Sequence, residues 1–215
     1  MKRFSIFLFV AVFATSLLIS CGDNGNDPNN PTTNAGVLIN GVKWATCNVD
    51  APGTFTVSPE SSGMLYQWNR KIGWSTTDPL VNSNGGTVWD ETMPEGTVWT
   101  ATNDPCPAGW RVPIIDELKT LLNTTKVVQE WTTQNGVMGR KFTDAISNNS
   151  IFLPVAGSRN YNDGVLSSIV GSNYWSCSHY GESQAHWLVS NNIGAAAGNH
   201  GMYRSYGYSV RCVVK

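Results

Sequence analysis

One stretch, residues 104–118, constrains the fold of this chain more than any other. It reads Asp-Pro-Cys-Pro-Ala-Gly-Trp-Arg-Val-Pro-Ile-Ile-Asp-Glu-Leu. Its three prolines each fix φ near about −65°, and its glycine permits a sharp turn. After Ile114 the apolar residues recur at helical spacing and the first turn is acidic, as the helix dipole favours. We therefore predict a rigid loop that enters one main helix over about 113–123, with its leucine and isoleucine stripe facing the core.

Several sequence blocks together resemble a known bacterial family. The stretch Cys106-Pro-x-Gly-Trp-Arg-Val-Pro-x-x-x-Glu117 resembles the signature of the Fibrobacter succinogenes major paralogous domain family. Further blocks resemble that family in its own order, at residues 41–48, 66–68, 152–157, 174–178 and 209–213. The resemblance covers roughly residues 37–215. It implies an α+β fold of the C-type-lectin-like class, related to the sulfatase-modifying factors, which is rich in loops and has short antiparallel hairpins.

The chain departs from that family pattern at two positions. Ile114 stands where the family usually has threonine, and Cys177 stands where it usually has serine. Without a threonine, Ile114 cannot form a capping box with Glu117, and such a loss typically weakens a helix start by about 1 kcal/mol. We therefore expect a weaker helix start than in the family at large.

The N-terminus predicts export and lipid anchoring. Lys2 and Arg3 precede an uncharged apolar run at residues 4–19, shorter than the roughly 20 residues that a membrane-spanning helix needs. We interpret residues 1–20 as a signal peptide, and Leu18-Ile-Ser-Cys21 resembles a lipobox in which Cys21 is lipidated. Residues 21–36 contain almost no apolar side chain and predict a flexible tether. By analogy, the protein is expected in the outer membrane, facing outside, with the lipid as its sole membrane contact.

Composition limits the possible partners and the number of domains. Removal of Lys2 and Arg3 leaves 12 basic against 15 acidic residues, a net charge near −3, which is not the footprint of a nucleic-acid-binding protein. Charged residues make up 13% of the chain, about half the usual share, whereas glycine and tryptophan are abundant. Residues 37–215 suit a single domain with one core, and we expect a monomer.

Turn and strand patterns place several elements along this domain. Asn40-Gly41, between two short apolar runs, predicts a type I′ hairpin. We expect long ordered loops over residues 50–100 with a strand at 64–68, and a hairpin after the helix. Late strands are predicted near 173–178, 185–189 and 207–214. In the fold that the resemblance implies, the last strand pairs with the first hairpin, so the loops at the opposite pole would carry the function.

Four cysteines remain after Cys21, and an even number in an oxidising compartment favours disulfides. Four cysteines allow three connectivities. The resemblance favours a bond between Cys106 and Cys212, because those family blocks commonly carry cysteine together. Elimination then leaves Cys47 with Cys177.

Catalytic and metal-binding patterns are weak in this sequence. Cys177 and His179 lie two residues apart on a predicted strand, so a thiolate and an imidazole could meet, but no third orienting residue accompanies them. The same two residues with His186 and His200 have ligand types that suit zinc, but their spacing matches no tight ligand pattern. We therefore expect no metal or other cofactor, and no enzymatic activity.

Recognition through loops is the remaining hypothesis. Aromatic residues sit among Gly, Asn, Ser and Thr, a composition typical of recognition loops. The predicted ligand-binding residues follow strands: Tyr161, Asn162, Asp163, His179, Tyr180 and Glu182. We expect a non-catalytic domain that binds a glycan or a protein. The alternatives are a structural or tip component of a surface or fimbrial assembly, and a cryptic enzyme related to formylglycine-generating proteins.

Overall fold

A computed structural model describes residues 36–167 and 171–215. The predicted signal peptide, Cys21 and the tether up to residue 35 lie outside the described residues. Within the described ranges, no helix is long and apolar enough to cross a membrane. Among the described residues, 38% are in strands or bridges and only 3% are in helix, so this part of the chain is built almost entirely from small antiparallel sheets.

The elements form five sheets and one short helix. The sheet that holds the chain ends has the order β1-β2-β15-β5, made of Val37–Ile39, Val42–Trp44, Val213–Val214 and Trp110–Arg111. Two small hairpins pair β3 with β4 and β9 with β10, made of Leu65–Tyr66, Gly73–Trp74, Ser158–Arg159 and Leu166–Ser167. A three-stranded meander has the order β6-β7-β8, made of Val127–Gln134, Val137–Asp144 and Ser150–Pro154. The last sheet has the order β11-β12-β13, with β14 also paired to β12, made of Ser172–Tyr180, Gln184–Ser190, Ala195–Ala197 and Met202–Tyr203.

The predicted α+β fold of the C-type-lectin-like class, with one main helix over about 113–123, is wrong. The helix α1 spans only Ile115–Thr120. Leu121 N–H and Leu122 N–H each bond the carbonyl three residues earlier, and the Asn123 carbonyl then accepts the N–H of Val127, where β6 begins. The helix therefore buries Leu118 and Leu121 in one and a half turns and ends. The remaining apolar residues are buried from strands.

The start of this helix is completed by another strand. Ile114 has no side-chain oxygen, but Glu117 Oε2 still accepts the Ile114 N–H at 2.9 Å. Ser178 Oγ on β11 accepts the N–H of Ile115 at 3.0 Å, the role that a capping side chain usually has. Arg111 holds Glu117 through two bonds of 2.8 and 2.6 Å. Tertiary contacts thus replace much of the local cap that the sequence lacks.

Two predictions about the chain ends are confirmed. The first hairpin pairs β1 with β2 around Asn40 and Gly41, which have φ of 43° and 83°, as a type I′ turn requires. The last strand then joins this hairpin, because Val213 pairs with Trp44.

Cys106 and Cys212 form the predicted disulfide, with their Cα atoms 6.1 Å apart. In the chain-entropy picture, closure of so long a loop stabilises the fold by about 4 to 5 kcal/mol.

The predicted bond between Cys47 and Cys177 is wrong, because Cys177 carries a free thiol. The ladder between β11 and β12 is irregular between Trp175 and His179, and at this point the N–H of Cys177 bonds the carbonyl of Pro113 at 2.8 Å. The bulge therefore ties Cys177 to the helix entrance. Burial raises the pKa of its thiol to about 11.

The closing segment, residues 209–213, is buried on both faces. Val210 and Cys212 join a cluster with Trp68 and Trp175, and Val213 joins a second cluster around Trp44 and Phe142. Arg211, 1% exposed, bonds Asn48 Oδ1 and the carbonyls of Ala45 and Phe152. Burial lowers its pKa to about 10, so the guanidinium stays charged at neutral pH. A buried arginine held by neutral oxygens thus lies at the centre of the domain.

Candidate functional site

The most site-like concavity lies on one face of the last sheet. Trp175 pairs with Trp187, and Asn173 pairs with Val189, so these four side chains share one face of β11 and β12. Beyond the buried Trp175 this face is open, and Trp187, Asn173 and Val189 line a cleft of ≈ 300 Å³. We call it the tyrosine cleft, because Tyr206 and Tyr208 also line it. Its other lining residues are Ser158, Asn160, Ser167, Gly171, Asn191 and Met202.

A row of aromatic rings leads from the core out to the rim of this cleft. Tyr208 packs on the buried Trp175 at a centroid distance of 4.6 Å, and Tyr206 stacks on Tyr208 at 5.4 Å with 17° between the planes. Tyr161 lies 5.1 Å from Tyr206 and 5.2 Å from Tyr203. Tyr161 and Tyr203 are 36% and 41% exposed. The row therefore ends in two rings that a ligand can reach.

The loop that carries Tyr161 is held from below by Trp89. Trp89 is 9% exposed, and its Nε1–H donates to the Tyr161 carbonyl at 3.2 Å. Gly164 lets the loop close over this indole, because a Cβ there would lie 2.7 Å from the ring. Arg159 adds a bond of 3.0 Å to the Gly164 carbonyl and a salt bridge of 2.9 Å to Asp78. Tyr161 is thus presented on a braced loop.

Every described side chain that lines the tyrosine cleft is uncharged at neutral pH. Asn160 and Asn191 use their Oδ1 atoms to accept backbone N–H groups of their own turns. The side chain of Asn173 makes no hydrogen bond within the described part of the chain. The pKa of Tyr206 is raised, first by burial and then by the neighbouring Tyr161 and Tyr203, so its phenol stays protonated. The cleft therefore offers amide and hydroxyl groups beside aromatic surface, without a formal charge.

A second concavity, of ≈ 560 Å³, lies at the β11–β12 turn, and we call it the Arg204 cleft. The predicted residues His179 and Glu182 line it, together with Glu95 and Arg204. Arg204 is 2% exposed, and its guanidinium donates only to carbonyls, those of Gln184, Pro94, Gly96 and Gly181. It also lies 4.5 Å from the centroid of the Trp68 ring. Four of its five N–H donors are therefore already used by the loops that it joins.

The six predicted ligand-binding residues do not form one site. Tyr161 reaches the rim of the tyrosine cleft, whereas His179 and Glu182 line the Arg204 cleft. Asn162 and Asp163 shape the turn after Tyr161: Asn162 N–H bonds Asn160 Oδ1, and Asp163 Oδ1 accepts the Val165 N–H. Tyr180 packs against His186, at 5.0 Å between centroids. All six residues lie near strand ends in the sequence, but the sheet places those strand ends at different sites.

Sequence reasoning missed most residues of the tyrosine cleft, namely Asn160, Asn173, Trp187, Asn191, Met202, Tyr206 and Tyr208. One signal was present, because residues 203–208 read Tyr-Arg-Ser-Tyr-Gly-Tyr. Three tyrosines among Gly and Ser match the composition of recognition surfaces. Trp74, Trp89 and Trp99 also lie among such residues in the sequence, but their side chains are buried.

The residues weighed for chemistry are not arranged as a catalytic or metal centre. The raised pKa of Cys177 keeps its thiol protonated at neutral pH, which is opposite to what a nucleophile needs. Among residues 36–167 and 171–215, no three His, Cys, Asp or Glu side chains are grouped so as to hold a metal ion. Comparison of the chain with protein-family models, curated proteins and solved structures gave no match. Any functional argument therefore depends on the geometry of the clefts.

Proposed function

We propose that this chain is a non-catalytic recognition domain that binds a neutral carbohydrate in the tyrosine cleft. The observation that carries the proposal is a concave site in which aromatic rings stand beside amide side chains and all of the described lining residues are uncharged. Binding pockets are mostly apolar with a few polar groups that fix orientation, and this cleft has that composition.

Sugar chemistry fits this surface in two ways. The C–H face of a pyranose ring is apolar and can lie against Tyr206 or the exposed ring of Tyr161, whereas its hydroxyls need both donors and acceptors. Asn173 supplies both, and the Nδ2 groups of Asn160 and Asn191 supply donors, because their Oδ1 atoms are already used. A volume of ≈ 300 Å³ lies at the lower end for ligand pockets and suits the terminal one or two rings of a chain.

The absence of catalysis remains part of the proposal and is supported by the groups at hand. Among the described residues, no Asp, Glu, His, Lys or Cys lines the tyrosine cleft, so none of them would offer a bound sugar an acid, base or nucleophile there. The one free thiol of the described residues, on Cys177, is protonated at neutral pH.

We further propose that the domain is displayed on the outer membrane through lipidated Cys21. The apolar run before Leu18-Ile-Ser-Cys21 supports this proposal, and so does the resemblance of residues 37–215 to surface proteins of the major paralogous domain family. Wild-type protein should incorporate an alkynyl fatty acid in cells, and Cys21→Ala protein should not. Equal labelling of both proteins, or of neither, would contradict the anchor.

The recognition proposal is tested by a glycan array probed with the full-length protein, followed by calorimetry on the best ligand. Wild type and Tyr180→Ala should share one set of neutral glycans, whereas Tyr206→Ala should lose them. Tyr180 is the matched control, because it is an exposed tyrosine of the same sheet that packs against His186 instead. Binding of acidic glycans alone, or equal binding by all three proteins, would defeat the proposal.

A further inference from the structure

The strand β6 lies at an open edge of its sheet. The order β6-β7-β8 leaves one side of β6 without a neighbouring strand in the described ranges. Val127–Gln134 pairs with β7 in regular register over all eight residues, without a bulge. It contains no proline or glycine and is rich in β-branched residues. It therefore has few of the features that usually prevent another strand from pairing with an exposed edge.

The register determines which backbone groups of β6 face outward. A two-residue turn joins Gln134 to Val137, so these two form a hydrogen-bonded pair, and every second residue of β6 does the same. The carbonyl of Met138 supports this register, because it faces β8 and accepts the Val155 N–H at 2.9 Å. Gln129, Trp131 and Thr133 therefore direct their N–H and C=O groups away from β7. In the described part of the chain, no hydrogen bond reaches these six groups.

The side chains near the open edge are compatible with a neighbouring strand. Trp131 lies under the guanidinium of Arg140, 5.8 Å from the ring centroid, and Arg140 is itself held by Ser190 Oγ at 2.7 Å. The one charged side chain of the strand, Glu130, stands opposite Lys141 of β7. Its charge is thus balanced within its own sheet, which reduces the repulsion between two such edges.

We propose that β6 pairs antiparallel with β6 of a second copy of this chain, about a twofold axis at Trp131. In this register Trp131 faces Trp131, Gln129 of one copy faces Thr133 of the other, and Glu130 faces Thr132. No like charges stand directly opposite one another, and all six outward backbone groups of each strand find partners. This self-complementarity favours a second copy over an unrelated strand, and it replaces the monomer expected from the sequence.

Such a contact is weak in solution. Edge pairing of two strands buries much less surface than an ordinary stable dimer, so its strength depends on local concentration. Confinement of the copies to one surface would raise that concentration. The pairing therefore belongs to the displayed protein more than to dilute solution.

Cysteine cross-linking tests the register. Full-length Gln129→Cys and Thr133→Cys proteins, each with Cys177→Ser and a different tag, are expressed in the same cells and their membranes oxidised. The proposed register places positions 129 and 133 opposite each other, but separates position 129 from its own copy by about 13 Å, too far for a disulfide. The mixed cross-link should exceed either self cross-link at least tenfold. Equal mixed and self cross-linking, or cross-linking to other proteins alone, would overturn the proposal.

A proline at an outward position tests the hydrogen bonds. Gln129→Pro removes an N–H that no described residue uses, whereas Gln129→Ala keeps it. Gln129→Pro should weaken self-association of the full-length protein, measured by sedimentation in detergent, at least tenfold relative to Gln129→Ala. Equal association of the two variants, with both melting within a few degrees of wild type, would contradict the pairing. If Gln129→Pro melts much lower, Thr133→Pro serves in its place and the cross-link decides.

Discussion

The two clefts of this domain are close in the fold and differ in what holds them together. The tyrosine cleft is lined by uncharged side chains, and the rings of Tyr206 and Tyr208 stack there with accessible edges. The Arg204 cleft is larger and contains charged groups, but the guanidinium of Arg204 donates four hydrogen bonds to backbone carbonyls. Charge in a cavity therefore does not by itself indicate a ligand, because here it joins loops together.

This difference also explains why the six ligand-binding residues predicted from the sequence do not form one site. Polar residues such as His179 and Glu182 attract attention in a sequence, since charged groups in loops often bind ligands. In the structure they surround a guanidinium that is already satisfied, whereas the uncharged Asn173 is left with unused donors and acceptors. Four predictions test this contrast, from the largest expected effect to the smallest.

Removal of the arginine should cost stability. Arg204→Met leaves four carbonyls without their donor, and we expect the free energy of unfolding to fall by about 3 to 5 kcal/mol in denaturant titrations. Arg70→Met is the control, because Arg70 pairs with the half-exposed Asp90 and should cost about 1 kcal/mol or less. Equal costs in the two variants would show that Arg204 does not join the loops as described.

Removal of the central tyrosine should cost affinity. Tyr206→Ala deletes the ring between Tyr208 and Tyr161, and we expect glycan affinity to fall by about 1 to 3 kcal/mol by calorimetry. Tyr180→Ala should leave affinity unchanged, because Tyr180 contacts His186 and does not line the tyrosine cleft. The reverse ranking of the two variants would move the site to the other end of the sheet.

Removal of a single amide side chain should reduce glycan affinity less than removal of the Tyr206 ring. Asn173→Ala removes a side chain that makes no internal hydrogen bond in the described ranges, and we expect a loss of about 1 kcal/mol in affinity with little change in melting temperature. A marked drop in melting temperature with unchanged affinity per folded molecule would show that Asn173 supports the sheet and does not contact the ligand.

The pH dependence of glycan binding should be the smallest of the four effects. Burial raises the pKa of both Tyr206 and Tyr208, the two tyrosines that line the cleft, so their phenols stay neutral as pH rises to about 9. We expect affinity to vary less than about twofold between pH 5 and 9. A transition near pH 6.5 would instead point to a histidine outside the tyrosine cleft.

Local patterns with a strong physical cause were predicted correctly. Asn40-Gly41 is the sequence that a type I′ turn requires, because both central residues need positive φ. The strand β6 was missed although Asn135 and Gly136 form the same kind of turn, since Val127–Gln134 carries polar residues on both faces and shows no clean alternation. The helix was overestimated for the opposite reason: the apolar period continues to Leu122, whereas the helix ends at Thr120.

The sequence by itself determined the opening hairpin and, through the family resemblance, the disulfide between Cys106 and Cys212. The first depends on neighbouring residues, and the second on blocks in which the family commonly carries cysteine. Tertiary structure alone decided that Ser178 completes the helix start, that Cys177 stays free, and that Asn173 meets Tyr206 across a cleft. Each of these depends on contacts between segments far apart in sequence, which local sequence preferences do not specify.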